Sequence, residues 1–174
     1  MEKLKNKIRN VPDFPKKGIG FKDITTLLKD GKAFKETVDA LADNYNPDDI
    51  DLIVGIEARG FIFASALAYK WGKGVIPVRK PGKLPASTVR EKYSLEYGTD
   101  VIEIHKDAIS TNQRILIVDD LLATGGTVAA TSRLVEKLGG KIVGITFLIE
   151  LSFLNGIEKL KDYDVFSLMK FDSE

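Results

Sequence analysis

The chain has 174 residues, enough for one domain that buries a core without disulfide or metal support. Its 26 Lys and Arg against 25 Asp and Glu leave a net charge of +1, which argues against a general nucleic-acid coat or an anionic-membrane binder. Cysteine is absent and His105 is the one histidine, which excludes disulfides, thiolate chemistry and His-rich metal clusters and suits a reducing cytoplasm. The opening MEKLKNKIRN has no apolar signal core, and no window reaches the ~18 unbroken apolar residues of a membrane helix. The expectation is a soluble cytoplasmic protein that works through Asp, Glu, Lys, Arg, Tyr and backbone groups.

No repeat, low-complexity tract or linker divides the chain, so residues 1–174 are expected to form a single domain. Residues 1–30 are basic and then loop-like, with two prolines and two glycines in VPDFPKKGIGFKDIT. Residues 31–43 place Phe34, Val38 and Leu41 at helical spacing. DLIVGI, residues 51–56, reads as a short buried strand. Residues 59–71 are apolar nearly all round and stop at Gly72; such a helix must be buried or lie in a subunit interface, and Trp71 belongs with that core or interface. Residues 75–79 read as a strand, 80–98 show no apolar period, and 101–105 alternate with Ile102 and Ile104 on one face and His105 on the solvated one.

RILIVD, residues 114–119, is the clearest strand, and 127–138 read as a helix closed by Gly139 and Gly140. A strand over 141–150, a short helix over 153–160 and a strand over 163–168 follow. Strands apolar on both faces, alternating with helices, argue for an α/β fold: a mostly parallel twisted sheet flanked by helices. Ligands of such sheets sit at the carboxyl ends of strands, here after Ile56, Val78 and Val118.

The stretch ILIVDDLLATGGT, residues 115–127, is a strand, a turn of small residues and a helix start. Small side chains let the amides of Ala123, Thr124, Gly125, Gly126 and Thr127 converge on an anion, helped by the helix dipole, and phosphate is the natural guest. Asp119 and Asp120 would repel phosphate; they suit vicinal hydroxyls or a hydrated Mg²⁺. A ribose 5-phosphate satisfies both requirements. The plain alternative is a strand–helix connection with an aspartate cap. A second turn, GIEARGF at 55–61, puts Arg59 in the first turn of a helix, where a cation opposes the dipole unless an anion shares the turn. The alternative there is an exposed Arg59 paired with Glu57.

Residues 115–127 resemble the phosphoribosyl-pyrophosphate motif of the type I phosphoribosyltransferase family. Together with GIEARGF and with KYSLEYG at 92–98 they are similar to the members of that family that take adenine, and the likeness runs from about Asp13 to the SLMKF near the C-terminus. The resemblance implies a small N-terminal hood over residues 1–30 and a long flexible loop over 79–98 that acts as a mobile lid. It implies transfer of a 5-phosphoribosyl group from its pyrophosphate donor to adenine, with AMP and pyrophosphate as products, Mg²⁺ as cofactor held through substrate and water near Asp119 and Asp120, and a homodimer. No nucleic-acid or membrane partner is expected.

In that reading Glu57, Ala58 and Arg59 hold pyrophosphate, and a non-prolyl cis peptide is frequent just before the arginine. The lid, with five basic and two acidic residues, adds Arg79, Lys80 and Lys83 against the departing charge and excludes water; the plain alternative for this stretch is a solvated hairpin. Tyr97 touches the pyrophosphate side, and Glu96 handles or orients the adenine proton. Ile19, Phe21 and Lys22 form the adenine pocket, Phe21 by stacking; the family often has Arg where this chain has Lys22, and Lys lacks the planar fork. Arg59, Glu96, Asp119 and Asp120 form the expected catalytic set. The rivals are the same fold acting on another purine, a non-catalytic regulator that keeps the pocket, and an α/β module with a vestigial site.

Overall fold

A computed structural model describes residues 2–95 and 98–173. The N-terminal part holds α1 (Glu2–Lys5), β1 (Arg9–Val11), β2 (Phe21–Asp23) and α2 (Thr25–Leu28). Residues 2–30 therefore hold more regular structure than their composition suggested: β1 and β2 pair antiparallel, Val11 opposite Phe21 and Arg9 opposite Asp23. Next come α3 (Gly31–Ala42), β3 (Leu52–Ile56), α4 (Gly60–Trp71) and β4 (Gly74–Val78). The chain continues through β5 (Thr88–Leu95), β6 (Gly98–His105), β7 (Arg114–Leu122), α5 (Gly126–Lys137), β8 (Lys141–Leu151) and β9 (Val165–Phe171).

Five parallel strands form the central sheet in the order β4-β3-β7-β8-β9. Each strand sends alternate side chains to opposite faces. Ile53, Leu116 and Val118 pack with Leu41, Phe63 and Leu67 on the α3–α4 side, while Val54, Ile115 and Ile117 pack with Leu134 and Val135 on the α5 side. Asp30 starts α3 by accepting the amides of Lys32 and Ala33 at 3.2 and 3.1 Å. Gly72, at φ 64°, ends α4 in the left-handed conformation. The inward residues Phe63, Ala64, Leu67 and Ala68 of α4 are buried, but Ile62 and Tyr69 face outward, Tyr69 92% exposed.

Three expectations are corrected. Residues 79–98 are not one aperiodic loop: Thr88–Leu95 pairs with Gly98–His105 as an antiparallel hairpin, leaving 80–87 as the irregular part. One face of β5 reads Val89, Glu91, Tyr93, and Glu91 breaks the apolar alternation because it pairs with Arg133 of α5 at 2.7 Å. Strand β7 runs past Asp119 to Leu122, since β8 pairs with it as far as Glu150. The short helix at 153–160 is two 3₁₀ turns, Ser152–Leu154 and Gly156–Leu160. No helix among the described residues is long and apolar enough to cross a membrane.

Candidate active site

The turn after β7 is a cradle built from main chain. Gly125 takes φ 75°, and a Cβ there would stand 2.4 Å from the Gly156 carbonyl oxygen. A Cβ on Gly156 would stand 2.0 Å from the Ala123 carbonyl oxygen, so the two segments touch only because both are glycine. The first helical hydrogen bond of α5 runs from the Ala129 N–H to the Gly125 carbonyl at 3.0 Å. The amides of Gly126, Thr127 and Val128 therefore have no helical acceptor. They border a concavity of about 80 Å³ lined by Asp119 and by the turn from Ala123 to Thr127. Five expected phosphate residues are thus brought together at a helix N-terminus.

Asp119 lines the cradle and the buried Asp120 follows it on β7, the Asp120 amide donating to the Asp119 carboxylate at 2.9 Å. Helix α4 begins hard against them: a Cβ on Gly60 would meet Asp119 Oδ1 at 2.6 Å. Arg59, next to that glycine, puts its Nε 2.7 Å from Asp120 Oδ2. It does not pair with Glu57, the alternative that the sequence left open. Burial, then the charge of Asp120, pushes the Asp119 carboxyl well above the usual range. Burial raises Asp120 as well, with Arg59 opposing. The two oxygen-rich side chains suit a hard cation, and among the described residues no group of three or more acidic or His side chains could cage one alone. That donor set fits Mg²⁺ shared with substrate and water.

The turn after β3 is built from side chains. The Glu57–Ala58 peptide is cis. Glu57 accepts from Arg79 Nε and Nη2, both at 3.2 Å, and from the Lys80 amide at 2.8 Å. Burial works to raise its carboxyl, but the bonds from Arg79 and Lys80 hold it below the usual range. Lys80 forms an ion pair with Asp100, which also accepts the Tyr93 hydroxyl at 3.2 Å. The Lys83 carbonyl takes Arg79 Nη1 at 3.3 Å. Glu57, Lys80 and Asp100 line a cavity of about 300 Å³ whose floor is Ile56, Val78 and Ile102 and whose far wall is Thr127 of the cradle. Asp100 and Tyr93 escaped the sequence reading. Asp100 is 20 residues from Lys80, and the two meet where β6 bridges to Arg79 through Glu103, a long-range pairing with no local signal.

The hood approaches the same edge. Phe21 makes an edge contact with Phe14, ring centres 5.1 Å apart, and the Arg59 guanidinium lies 4.9 Å from the Phe21 centroid. Phe14, 50% exposed, is a further residue that the sequence reading missed; its place beside Phe21 in the sequence-distant half of the hood gave no signal. Ile19 is exposed and its carbonyl accepts the Phe14 amide at 3.0 Å. The Lys22 side chain is not brought to this face. Neighbouring strand residues alternate, so Lys22 points the other way, its Nζ 3.2 Å from Asn10 Oδ1 and 4.7 Å from the Phe171 ring centre. Glu96 and Tyr97 lie outside the described residues. His105 is half-buried rather than fully solvated, and accepts the Ala86 amide at 3.3 Å.

A family model for the phosphoribosyl transferase domain matches residues 25–172. The adenine phosphoribosyltransferase of Alkaliphilus metalliredigens is 61% identical over 168 residues, 97% of this chain and 99% of that protein. The crystal structure of adenine phosphoribosyltransferase from Thermoanaerobacter pseudethanolicus matches with a TM-score of 0.95 at 58% identity, covering 98% of this chain and 99% of that one. The Saccharomyces cerevisiae enzyme, crystallised with an imino-altritol bisphosphate and adenine, matches with a TM-score of 0.92 at 40% identity over 97% of each chain. A main-chain anion cradle, a paired aspartate and an arginine turn on one sheet edge, in a chain so close to these proteins, have one reading: the chain belongs to the phosphoribosyltransferase family.

Proposed function

We propose that this protein transfers the 5-phosphoribosyl group of 5-phosphoribosyl 1-pyrophosphate to adenine, forming AMP and pyrophosphate in purine salvage. The observation that carries the reading is the adjacency of the cradle at Ala123–Thr127 and the Asp119–Asp120 pair, Asp119 half-buried and Asp120 buried, on one strand end. Such a site matches a sugar that carries a phosphate at one end and a diol nearby.

In the reaction the bond from the sugar C1 to pyrophosphate oxygen breaks and a bond to adenine N9 forms, N9 losing its proton. Positive charge grows on the ribose ring and negative charge on the leaving group. The cradle anchors the 5-phosphate, so binding far from C1 orients it. Asp119 and Asp120 accept from the ring hydroxyls and favour the cationic sugar. Mg²⁺ held near Asp119 and Asp120 through substrate and water would neutralise the leaving pyrophosphate when bound. Arg59, Arg79, Lys80 and Lys83 complete the pyrophosphate subsite, with Glu57 and Ala58 shaping its turn.

Arg59 and Arg79 already hold carboxylates, as does Lys80, so the donor enters by exchange: Arg59 passes from Asp120 to pyrophosphate as Asp120 turns to the diol. Because Arg59 also covers Phe21, the same move uncovers that ring for adenine. Phe21 supplies the stacking face, and the main chain of residues 19–22 supplies edge contacts. Glu96 takes or orients the adenine proton and Tyr97 contacts pyrophosphate. The exposed apolar side chains Ile62, Tyr69 and Val75 support a homodimer, and the cytoplasm is the working compartment.

Radiolabelled adenine, incubated with the purified protein, the pyrophosphate donor and Mg²⁺, should be converted to AMP, with hypoxanthine, guanine and xanthine converted far less. Absence of AMP with all three components present would reject the reading. Preference for another base would move the protein to a different member of the family.

A further inference from the structure

We infer that Glu103 is a positioning residue for the leaving group: it fastens the basic arm, residues 79–87, so that Arg79 and Lys80 stand at the pyrophosphate subsite. The inference rests on the reaction proposed above.

Glu103 lies on β6, and only 1% of it is exposed. Its main chain brackets Arg79 as an isolated antiparallel pair, with the Arg79 amide donating to the Glu103 carbonyl at 3.0 Å and the Glu103 amide donating back at 2.8 Å. Its carboxylate accepts from three further groups: the Gly82 amide at 3.0 Å, the Thr88 hydroxyl at 3.2 Å and Arg90 Nε at 2.8 Å. Arg79 and Gly82 belong to the foot of the arm that leaves β4; Thr88 and Arg90 belong to the foot that returns as β5. One residue therefore closes the arm at both feet.

A buried carboxylate is tolerated only where donors replace its water. Burial acts to raise its pKa, and the bonds from Gly82, Arg90 and Thr88 more than offset that, so it stays ionised at neutral pH. Its charge is spent on arm groups. Beyond Glu103, Arg79 reaches Glu57 and Lys80 reaches Asp100, and Lys80 lines the cavity of about 300 Å³ beside the cradle. A loosened arm root would displace both cations together while leaving the cradle, the aspartates and the hood in place. Misplacement by about 1 Å is enough to cost on the order of a hundredfold in rate.

The test is steady-state kinetics of the full chain in both directions with Glu103→Gln and Glu103→Leu. Glu103→Gln keeps an acceptor for Gly82 and loses the charge opposite Arg90. It should raise KM for the donor and for pyrophosphate about fivefold, with KM for adenine and AMP within about twofold. Glu103→Leu should raise the same two constants by at least about twentyfold. Equal losses for all four ligands, in step with a lower Tm, would make Glu103 a fold residue only and overturn the inference; so would unchanged kinetics. If Glu103→Leu does not fold, Thr88→Val, which removes one donor from the arm, should raise KM for the donor and for pyrophosphate about fourfold with the adenine and AMP constants within about twofold, and no split there overturns the inference. A wild-type chain that makes no AMP fails the parent reading instead, before any variant is compared.

Discussion

Two turns on the same sheet edge bind charge by opposite means. The turn after β7 offers main-chain amides, a left-handed glycine and no basic side chain, and Gly156 backs it from behind. The turn after β3 and the adjoining arm offer cations, and Arg59, Arg79 and Lys80 are each already held by a carboxylate, Asp120, Glu57 and Asp100. The first subsite is held by close glycine contacts in the ligand-free chain, and under the proposed function it should change little when occupied. Under the proposed function the second would exchange these internal partners for the ligand, which would link pyrophosphate binding to release of Asp120 toward the sugar. Rigid recognition at one end and exchange at the other suit a substrate whose phosphate stays bound while its pyrophosphate leaves.

The sharpest way to break the comparison is to deform the preformed half. Gly156→Ala forces a Cβ to within 2.0 Å of the Ala123 carbonyl oxygen, so the cradle must shift. kcat/KM should fall about a thousandfold, roughly 4 kcal/mol of transition-state stabilisation. A kinetic loss under about tenfold would show that the cradle is not tightly packed on its neighbour.

Next comes the exchanging half. Arg59→Ala should lower kcat/KM about a hundredfold and, by leaving the buried Asp120 without its ion pair, destabilise the ligand-free protein by about 3 kcal/mol in urea unfolding. Asp119→Asn and Asp120→Asn should each lower kcat/KM at least about tenfold, ~1.4 kcal/mol. Unchanged kinetics in both would remove the diol role. Glu57→Gln loosens the hold on Arg79 and should shift KM for pyrophosphate by only about threefold, with the adenine constant unmoved.

The smallest effect is a pH dependence. Because Asp119 titrates above its unfolded value, its contribution to ligand-free stability is full below about pH 4 and is lost as pH rises through the raised value. Relative to Asp119→Asn, the wild-type Tm should therefore decline as pH increases, read by thermal melts from about pH 4 to about pH 9. Parallel curves for the two proteins would show that the Asp119 carboxyl is not raised in the ligand-free protein.

The preformed half was the more legible in sequence. Ile115 to Val118 are each fully buried, and a strand apolar on both faces announces a parallel sheet, while glycine and threonine after it announce an anion turn. The exchanging half was legible only as a list of cations. Their partners are set by tertiary placement: Asp120 lies 61 residues from Arg59, and Asp100 meets Lys80 where β6 bridges to Arg79 through Glu103. The β5–β6 hairpin stood in the sequence only as the plain alternative to a lid, since Glu91 occupies a face position where an apolar residue would have shown the period, and its charge is met by Arg133 from another element. The inward turn of Lys22 was likewise unreadable, because a three-residue strand carries too little pattern to fix its faces.

The most direct test of the account is a crystal structure with AMP bound. The account predicts the phosphate against the amides of residues 124–127, the ribose hydroxyls on Asp119 and Asp120, Arg59 withdrawn from Asp120, and the purine on Phe21. A nucleotide seated elsewhere, or one that leaves the Arg59–Asp120 pair closed while its sugar lies away from both aspartates, would contradict it.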